Sequence, residues 1–529
     1  MWIKGTSDNY IDLCTQLSDI LESNHVSAVA INAGGTGYAV DDVLTVSGGT
    51  SSYPAKLEVL TVSSGVITAV RIMEAGAYTV NPGNPVSVTG GSGSGATFNL
   101  TFDTSGWTVQ RESQEGATVS VNAGGTGYSV NDTLTVLGGE GDVLSAMTLN
   151  VDTVSGSTIT GVSFVSRGSY EITPGTTGIG VSGGGGTSAT FDFTYRDSGE
   201  GGEKLDKVLI LEGEGTGSDE ILVGIRTYSV SAFSGGGKTC YNWSLNAMTG
   251  YNSGLTYENQ PNLGPTEGIT PSSSGGSYVP LKSTDAFDME FWFNITPYRI
   301  IGIIKCEDAV ITHYSSMYLG FMNRPGTADE YPYPMLVASS TSRYDTLFED
   351  TSIRYSGLVD AGGVSAKPGP HFFRRFDQVW QEIRNSNNSD SGSESRTQAQ
   401  DVVVYPAGIP NASPSGLDQI DQLVGTGDLV WSDICPTTGV PGTPNYTMKR
   451  IPGGNNFLVP AMVLSSQNIG GDARGIQIEG ELDDVFWTSA GDGESSEDRI
   501  SVGNDRYTMF QNGSRAAVYT FMAIKEGDG

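Results

Sequence analysis

Asn32-Ala33-Gly34-Gly35-Thr36-Gly37-Tyr38-Ala39-Val40 returns 90 positions later as Asn122-Ala123-Gly124-Gly125-Thr126-Gly127-Tyr128-Ser129-Val130. The match continues outward. Leu44-Thr45-Val46 followed by Gly48-Gly49 mirrors Leu134-Thr135-Val136 followed by Gly138-Gly139, and Ala96-Thr97-Phe98 mirrors Ala189-Thr190-Phe191. Self-similarity of this kind marks a duplicated structural unit. Between the glycines, Val66–Ile72 and Thr158–Val165 are rich in β-branched residues and read as strands with one buried face. Paired glycines such as Gly34-Gly35, Gly48-Gly49 and Gly124-Gly125 supply the positive φ of tight turns. The turn and anchor residues are therefore Gly34, Gly35, Gly37 and Tyr38 in one copy, and Gly124, Gly125, Gly127 and Tyr128 in the other. Each tyrosine is expected to pack over its strand. A phosphate-cradling loop at Gly34–Gly37 would need a following helix and a lysine, and a strand follows instead. Gly76-Ala77-Tyr78 and Gly168-Ser169-Tyr170 echo the Gly-Tyr element, which suggests that each copy is itself doubled.

The flanking segments differ from these modules. Ile11, Cys14, Leu17, Ile20 and Leu21 share one face at helical spacing, and Ser7 or Asp8 is positioned to cap that helix. Trp107–Arg111, Lys207–Gly213 and Glu220–Ile225 read as short strands that need a core to join. The economical organisation is a mainly β (α+β) chain with a few helices. A discontinuous β-rich main domain (residues 1–25, 103–116 and 196–529) carries two inserted all-β modules, 26–102 and 117–195, since insertions at loop tips are well tolerated. Downstream, Phe291–Ile295 and Arg299–Lys305 read as core strands. Gly369-Pro370 opens an expected helix bearing Phe372, Phe373, Phe376, Val379, Trp380 and Ile383, and a short helix is expected around Leu417, Ile420 and Leu423. The segments near Phe291–Phe293, Tyr331–Pro334 and Phe372–Trp380 are the expected sources of apolar subunit contact, some of them being ordinary core that sequence does not single out, with the polar modules on the outer surface.

Charge narrows the function classes. The 529 residues include 73 glycines, and only 16% are charged; 59 Asp and Glu against 28 Lys and Arg leave a net charge of −31. Such a field repels phosphate backbones and anionic membrane surfaces, so neither nucleic acid nor membrane insertion is expected among the partners. No apolar run reaches the ~18–20 residues of a membrane span, and the opening residues lack the basic and apolar regions of a secretory leader. The four cysteines, Cys14, Cys240, Cys306 and Cys435, form no CxxC pair and read as buried free thiols.

Catalytic signatures are weak. Three histidines, His25, His313 and His371, lack a ligand partner three or four residues away, and no GxSxG elbow occurs. Asp483-Asp484 and the run Asp492, Glu494, Glu497, Asp498 carry oxygen ligands of the type Ca²⁺ prefers, but the spacing reads better as acidic turns. Tyr331 and Tyr333, set between prolines, are candidates for sugar stacking or subunit contact. The expectation is a protein that is not an enzyme and needs no cofactor or metal.

The Ala-Gly-Gly-Thr-Gly-Tyr modules resemble the glycine-rich repeats of tailed-bacteriophage virion proteins. The framework resembles a family of phage and prophage structural proteins through Trp2, Gly5-Thr6 and Tyr10, Gly106-Trp107-Thr108-Val109, Leu209–Gly215 and Phe291-Trp292-Phe293. Tyr318-Leu319-Gly320-Phe321, Tyr331-Pro332-Tyr333-Pro334 and Tyr507–Asn512 extend it. The resemblance implies a virion protein assembled in the host cytoplasm, a tail component (collar, sheath, tip or fibre base) forming a homo-oligomeric ring with other virion tail proteins. A host-surface glycan is a further partner under this reading. The alternatives are a glycan-binding or glycan-cleaving tailspike-like receptor protein, or a capsid decoration protein. No catalytic residue follows from it.

Overall fold

The computed structural model describes residues 1–199, 205–214, 221–232, 237–265, 275–283, 288–307, 312–331, 333–348, 358, 371–374, 380–383, 402–405, 458–469, 472–489, 495–503, 505–511 and 520–527. The chain is mostly β-strand, with one α-helix, Tyr10–Glu22, among these residues.

Three sheets stack to make the body. The middle one has seven strands in the order Trp2–Ser7, Met289–Thr296, Arg299–Glu307, Thr312–Phe321, Met335–Ser339, His371–Arg374 and Trp380–Ile383. Its strands are covered on both faces, which explains why they read as continuous apolar runs rather than alternating ones. Phe291, Phe293, Ile300 and Ile304 join one core with the helix and a five-stranded sheet. Trp292, Ile301 and Ile303 join a second core with Val485, Trp487, Phe510 and Met522 of a six-stranded C-terminal sheet. The five-stranded sheet runs Trp107–Glu112, Val208–Gly213, Ile221–Ser231, Thr239–Met248 and Tyr278–Leu281, so the short strand at Trp107 lies at its edge. The helix buries Ile11, Cys14, Leu17 and Leu21 in the first core.

Two sequence expectations need correction here. The helix is capped by Asn9, whose Oδ1 accepts from the Ile11 and Asp12 amides at 3.0 Å; Ser7 instead bonds the Asp12 carboxylate at 2.8 Å. Where a helix is expected after Gly369-Pro370, the described residues form two strands, His371–Arg374 and Trp380–Ile383, hydrogen-bonded to each other and, through the first of them, to Met335–Ser339; Phe376 and Val379 lie outside the described residues. Spacing of buried aromatics alone does not separate a helix from short strands buried on both faces. The expected helix around Leu417–Leu423 lies outside the described residues, as does Cys435; Cys14, Cys240 and Cys306 are buried free thiols.

The two repeat copies fold alike. The first is one eight-stranded sheet in the order Thr50–Tyr53, Ala77–Val80, Asn24–Thr36, Ser94–Thr104, Val86–Thr89, Val43–Val46, Lys56–Ser63 and Val66–Glu74. The second repeats that order with Glu140–Ser145, Ser169–Ile172, Gln114–Thr126, Thr187–Asp197, Ile179–Gly183, Thr133–Val136, Thr148–Ser155 and Thr158–Ser166. Each sheet folds back on itself and encloses a single core, around Leu44, Leu57, Tyr78 and Phe98 in one and Leu134, Leu149, Tyr170 and Phe191 in the other. The expected doubling inside each copy is therefore not a second structural unit. Tyr78 and Tyr170, which suggested it, serve a different purpose. Their hydroxyls accept the buried Ala55 and Met147 amides at 2.8 and 2.7 Å. Tyr78→Phe or Tyr170→Phe should cost about 1–3 kcal/mol, because a buried N–H loses its acceptor. Hydrogen exchange at the orphaned amide checks this, and unchanged protection would count against it.

Candidate functional site

The repeat glycines divide into two kinds. Gly35 and Gly37 have φ of +61° and +81°, and Gly125 and Gly127 +60° and +86°. Gly34 and Gly124 do not need positive φ, contrary to the turn reading. They are glycine because another strand crosses: a Cβ on Gly34 would sit 2.5 Å from the Ile67 carbonyl oxygen, and Gly124 meets Ile159 in the same way. Tyr38 and Tyr128 are 5% and 3% exposed, with Gly93 and Gly186 pressed against their rings. Both tyrosines lie over their own core, in keeping with an anchoring role.

Tyr331 is also a core residue, 6% exposed, with its hydroxyl donating to the Arg374 carbonyl. Tyr333 packs edge-on against Phe321, under the Arg374 guanidinium. The aromatic segments expected to offer subunit contact are likewise internal: Phe291, Trp292, Phe293, Phe372 and Phe373 are all buried. The sequence alone leaves core and contact unseparated among these aromatics, and the five named are core. Among the described residues, the large apolar side chains that stay exposed are mostly on the modules, including Val40, Val66, Val80, Val130, Leu137 and Val165.

The remaining candidates sit in structural roles. His25 bridges the Gly76 and Ile20 carbonyls, and burial lowers its pKa despite those bonds. His313 is buried, which pushes its pKa down to about 3 and keeps it neutral. His371 lies in the middle sheet, also buried. Asp483 and Asp484 pair with the fully buried Arg299, while Glu497 pairs with Lys305 and accepts the Tyr314 hydroxyl. Asp492 and Glu494 lie outside the described residues. Among the described residues, no group of three or more His, Cys, Asp or Glu converges on a metal-sized site.

Two features were not legible in the sequence. One is a four-membered ion cluster. Arg71 and Glu58, neighbours across a hairpin of the first module, meet Arg499 and Glu526 of the C-terminal sheet. Arg71 reaches Glu526 at 2.7 Å, and Arg499 reaches Glu58 at 3.2 Å and Glu526 at 2.7 Å. The matching hairpin of the second module carries Asn150 and Ser163 in place of Glu58 and Arg71.

The other is an open polar cleft of about 450 Å³ where the second module meets the body. The helix end contributes Glu22, the edge strand Arg111 and Glu112, the module Gln114, Thr173 and Asp197, and the loop after Met248 contributes Tyr251. Arg111 donates to the Leu255 and Ser253 carbonyls at 2.6 and 2.8 Å, and its guanidinium lies 5.4 Å from the Tyr251 ring centre. Glu112 is held by Ser18 and the buried Lys207. Burial, then the nearby Glu112, Asp197 and Asp19 carboxylates, raises the Glu22 pKa. A hint of this site existed in the repeats: Glu171 and Asp197 occupy the registers that hold Thr79 and Thr104 in the first copy.

No protein-family model matches this chain, and no curated protein matches it in sequence.

Proposed function

We propose that the chain is a structural component of a tailed-bacteriophage virion, a tail part that assembles as a symmetric oligomer with its β modules facing outward. The observation that carries this reading is the duplicated module built onto a triple-sheet body. Both copies keep the same strand order while exposing Val40 and Val130 at equivalent places. Repeated, turn-locked units that present matching apolar points suit contact with neighbouring copies, in which closed symmetry supplies the interface. The resemblance of the framework motifs to phage structural proteins supports the same reading. Mass spectrometry of purified particles tests it: the chain should be present at many copies per particle, and absence from intact particles overturns it.

Assembly has its own expected signature. At −31 per chain, copies repel at low ionic strength. Apolar contact at about 25 cal/mol per Å² must outweigh that repulsion. The Debye length falls from about 30 Å at 0.01 M salt to about 8 Å at 0.15 M. The oligomeric fraction in sedimentation should therefore rise across that range. A monomer at every salt and at high protein concentration would rule out self-assembly.

A further inference from the structure

We infer that the cleft between the second module and the body binds a saccharide that carries no anionic group. The inference goes beyond virion assembly and does not depend on it.

Size and lining set the ligand class. Small-molecule sites span about 300–1,000 Å³ and are usually lined by apolar groups with a few polar ones. The volume here, about 450 Å³, falls in that range, but the walls are mostly polar, so an apolar ligand has little to gain. A sugar, which offers hydroxyls that both donate and accept, matches such walls.

Four polar groups of the cleft are uncommitted. Among the described residues, the Gln114 amide, the Thr173 hydroxyl, the Glu22 carboxylate and the Tyr251 hydroxyl have no protein hydrogen-bond partner. An amide and a carboxylate each address adjacent hydroxyls of a sugar ring through two atoms. Tyr251 adds an aromatic surface, half-buried and braced by Arg111.

Charge among the described residues disfavours the acidic sugars. Among the described residues that line the cleft the cation is Arg111, which is engaged with two backbone carbonyls and with Glu171, and Lys207 is buried against Glu112. Glu22 and Asp197 lie exposed at the rim, and partial desolvation together with the like charge of Glu112, Asp197 and Asp19 raises the pKa of Glu22. A uronate, sulfate or phosphate would meet these carboxylates while the arginine of the cleft is already engaged. A neutral or amino sugar would meet no such repulsion.

The comparison inside the chain points the same way. The two modules share strand order, turn glycines and core tyrosines, yet at the cleft the second copy has Glu171 and Asp197 where the first has Thr79 and Thr104. Glu171 accepts the Tyr257 amide at 2.5 Å and so fixes the loop that carries Tyr251 against the module. The chemistry of the cleft is thus specific to one copy.

The test uses the full chain against arrayed neutral, amino and uronic-acid oligosaccharides, followed by calorimetric titration of the strongest binder. A neutral or amino oligosaccharide should bind, and Gln114→Ala and Tyr251→Ala should each weaken it about tenfold. Thr104→Ala in the first module should leave binding unchanged. Gln114 has no side-chain partner to lose, so its variant stays informative if Tyr251→Ala unfolds the loop. No binding by any neutral or amino sugar at millimolar concentration, preference for the uronic acids, or full affinity in Gln114→Ala each overturns the inference. None of those outcomes touches the presence of the chain in virions, so the two readings fail separately.

Discussion

Arg71→Met is expected to destabilise the contact between the first module and the C-terminal sheet by about 3–5 kcal/mol, the usual cost of removing one partner from a buried ion pair. Arg71 is buried with its two partners, Glu58 and Glu526, and the fourth member, Arg499, is only partly exposed. Losing one arginine leaves two buried carboxylates sharing one cation. The readout must be local, because a chain with several cores does not unfold in one step. Hydrogen exchange should accelerate in residues 56–74, 499–503, 505–511 and 520–526 together, while the matching hairpin of the second module, Thr148–Ser166, keeps its protection. A change below about 0.5 kcal/mol would mean that the cluster does not hold the module.

Acid should act at the same place. Burial alone would raise the Glu58 and Glu526 pKa values, but the ion pairs with Arg499 and Arg71 outweigh it and hold both below the ordinary glutamate value. A carboxylate more acidic in the folded than in the unfolded chain stabilises the fold above its unfolded pKa, about 4.3. That contribution is lost as pH falls through the lower, folded values. Release of the first module should therefore begin below about pH 4 in the native chain. Replacing both glutamates by glutamine should remove this acid dependence.

What the sequence disclosed, and what it hid, follows from distance along the chain. Repeats, turn glycines and the helix at Ile11–Leu21 are local patterns and are readable as such. The strand pair at Phe372 and Trp380 reads as a helix because a doubly covered sheet erases the two-residue alternation that identifies strands. The ion cluster joins residues 58, 71, 499 and 526, and the cleft joins segments from residue 22 to residue 253. No local pattern encodes such meetings. Only the divergence of the two modules at Thr79 and Glu171 and at Thr104 and Asp197 left a trace of the cleft in the sequence.

Gly34→Ala should be among the most damaging single-methyl changes in the first module, at about 1–3 kcal/mol from overpacking. The added Cβ would lie 2.5 Å from the backbone oxygen of Ile67 and 2.6 Å from a Val66 methyl, and backbone cannot rotate away as a side chain can. The strands Asn24–Thr36 and Val66–Glu74 would have to separate, opening the fold-back that encloses Tyr38 and Phe98. Gly124→Ala should do the same in the second module, against Ile159. Gly83→Ala is the internal control. It has nothing within 4 Å of the new methyl and no positive φ, so it should be neutral or stabilising by about 0.4–1 kcal/mol through a less flexible unfolded chain. Hydrogen exchange across residues 56–74 separates the outcomes: faster exchange in Gly34→Ala and unchanged exchange in Gly83→Ala. Equal protection in both variants would show that the crossing strands tolerate the methyl, and that the Gly-Gly element is kept for its turn at Gly35 alone.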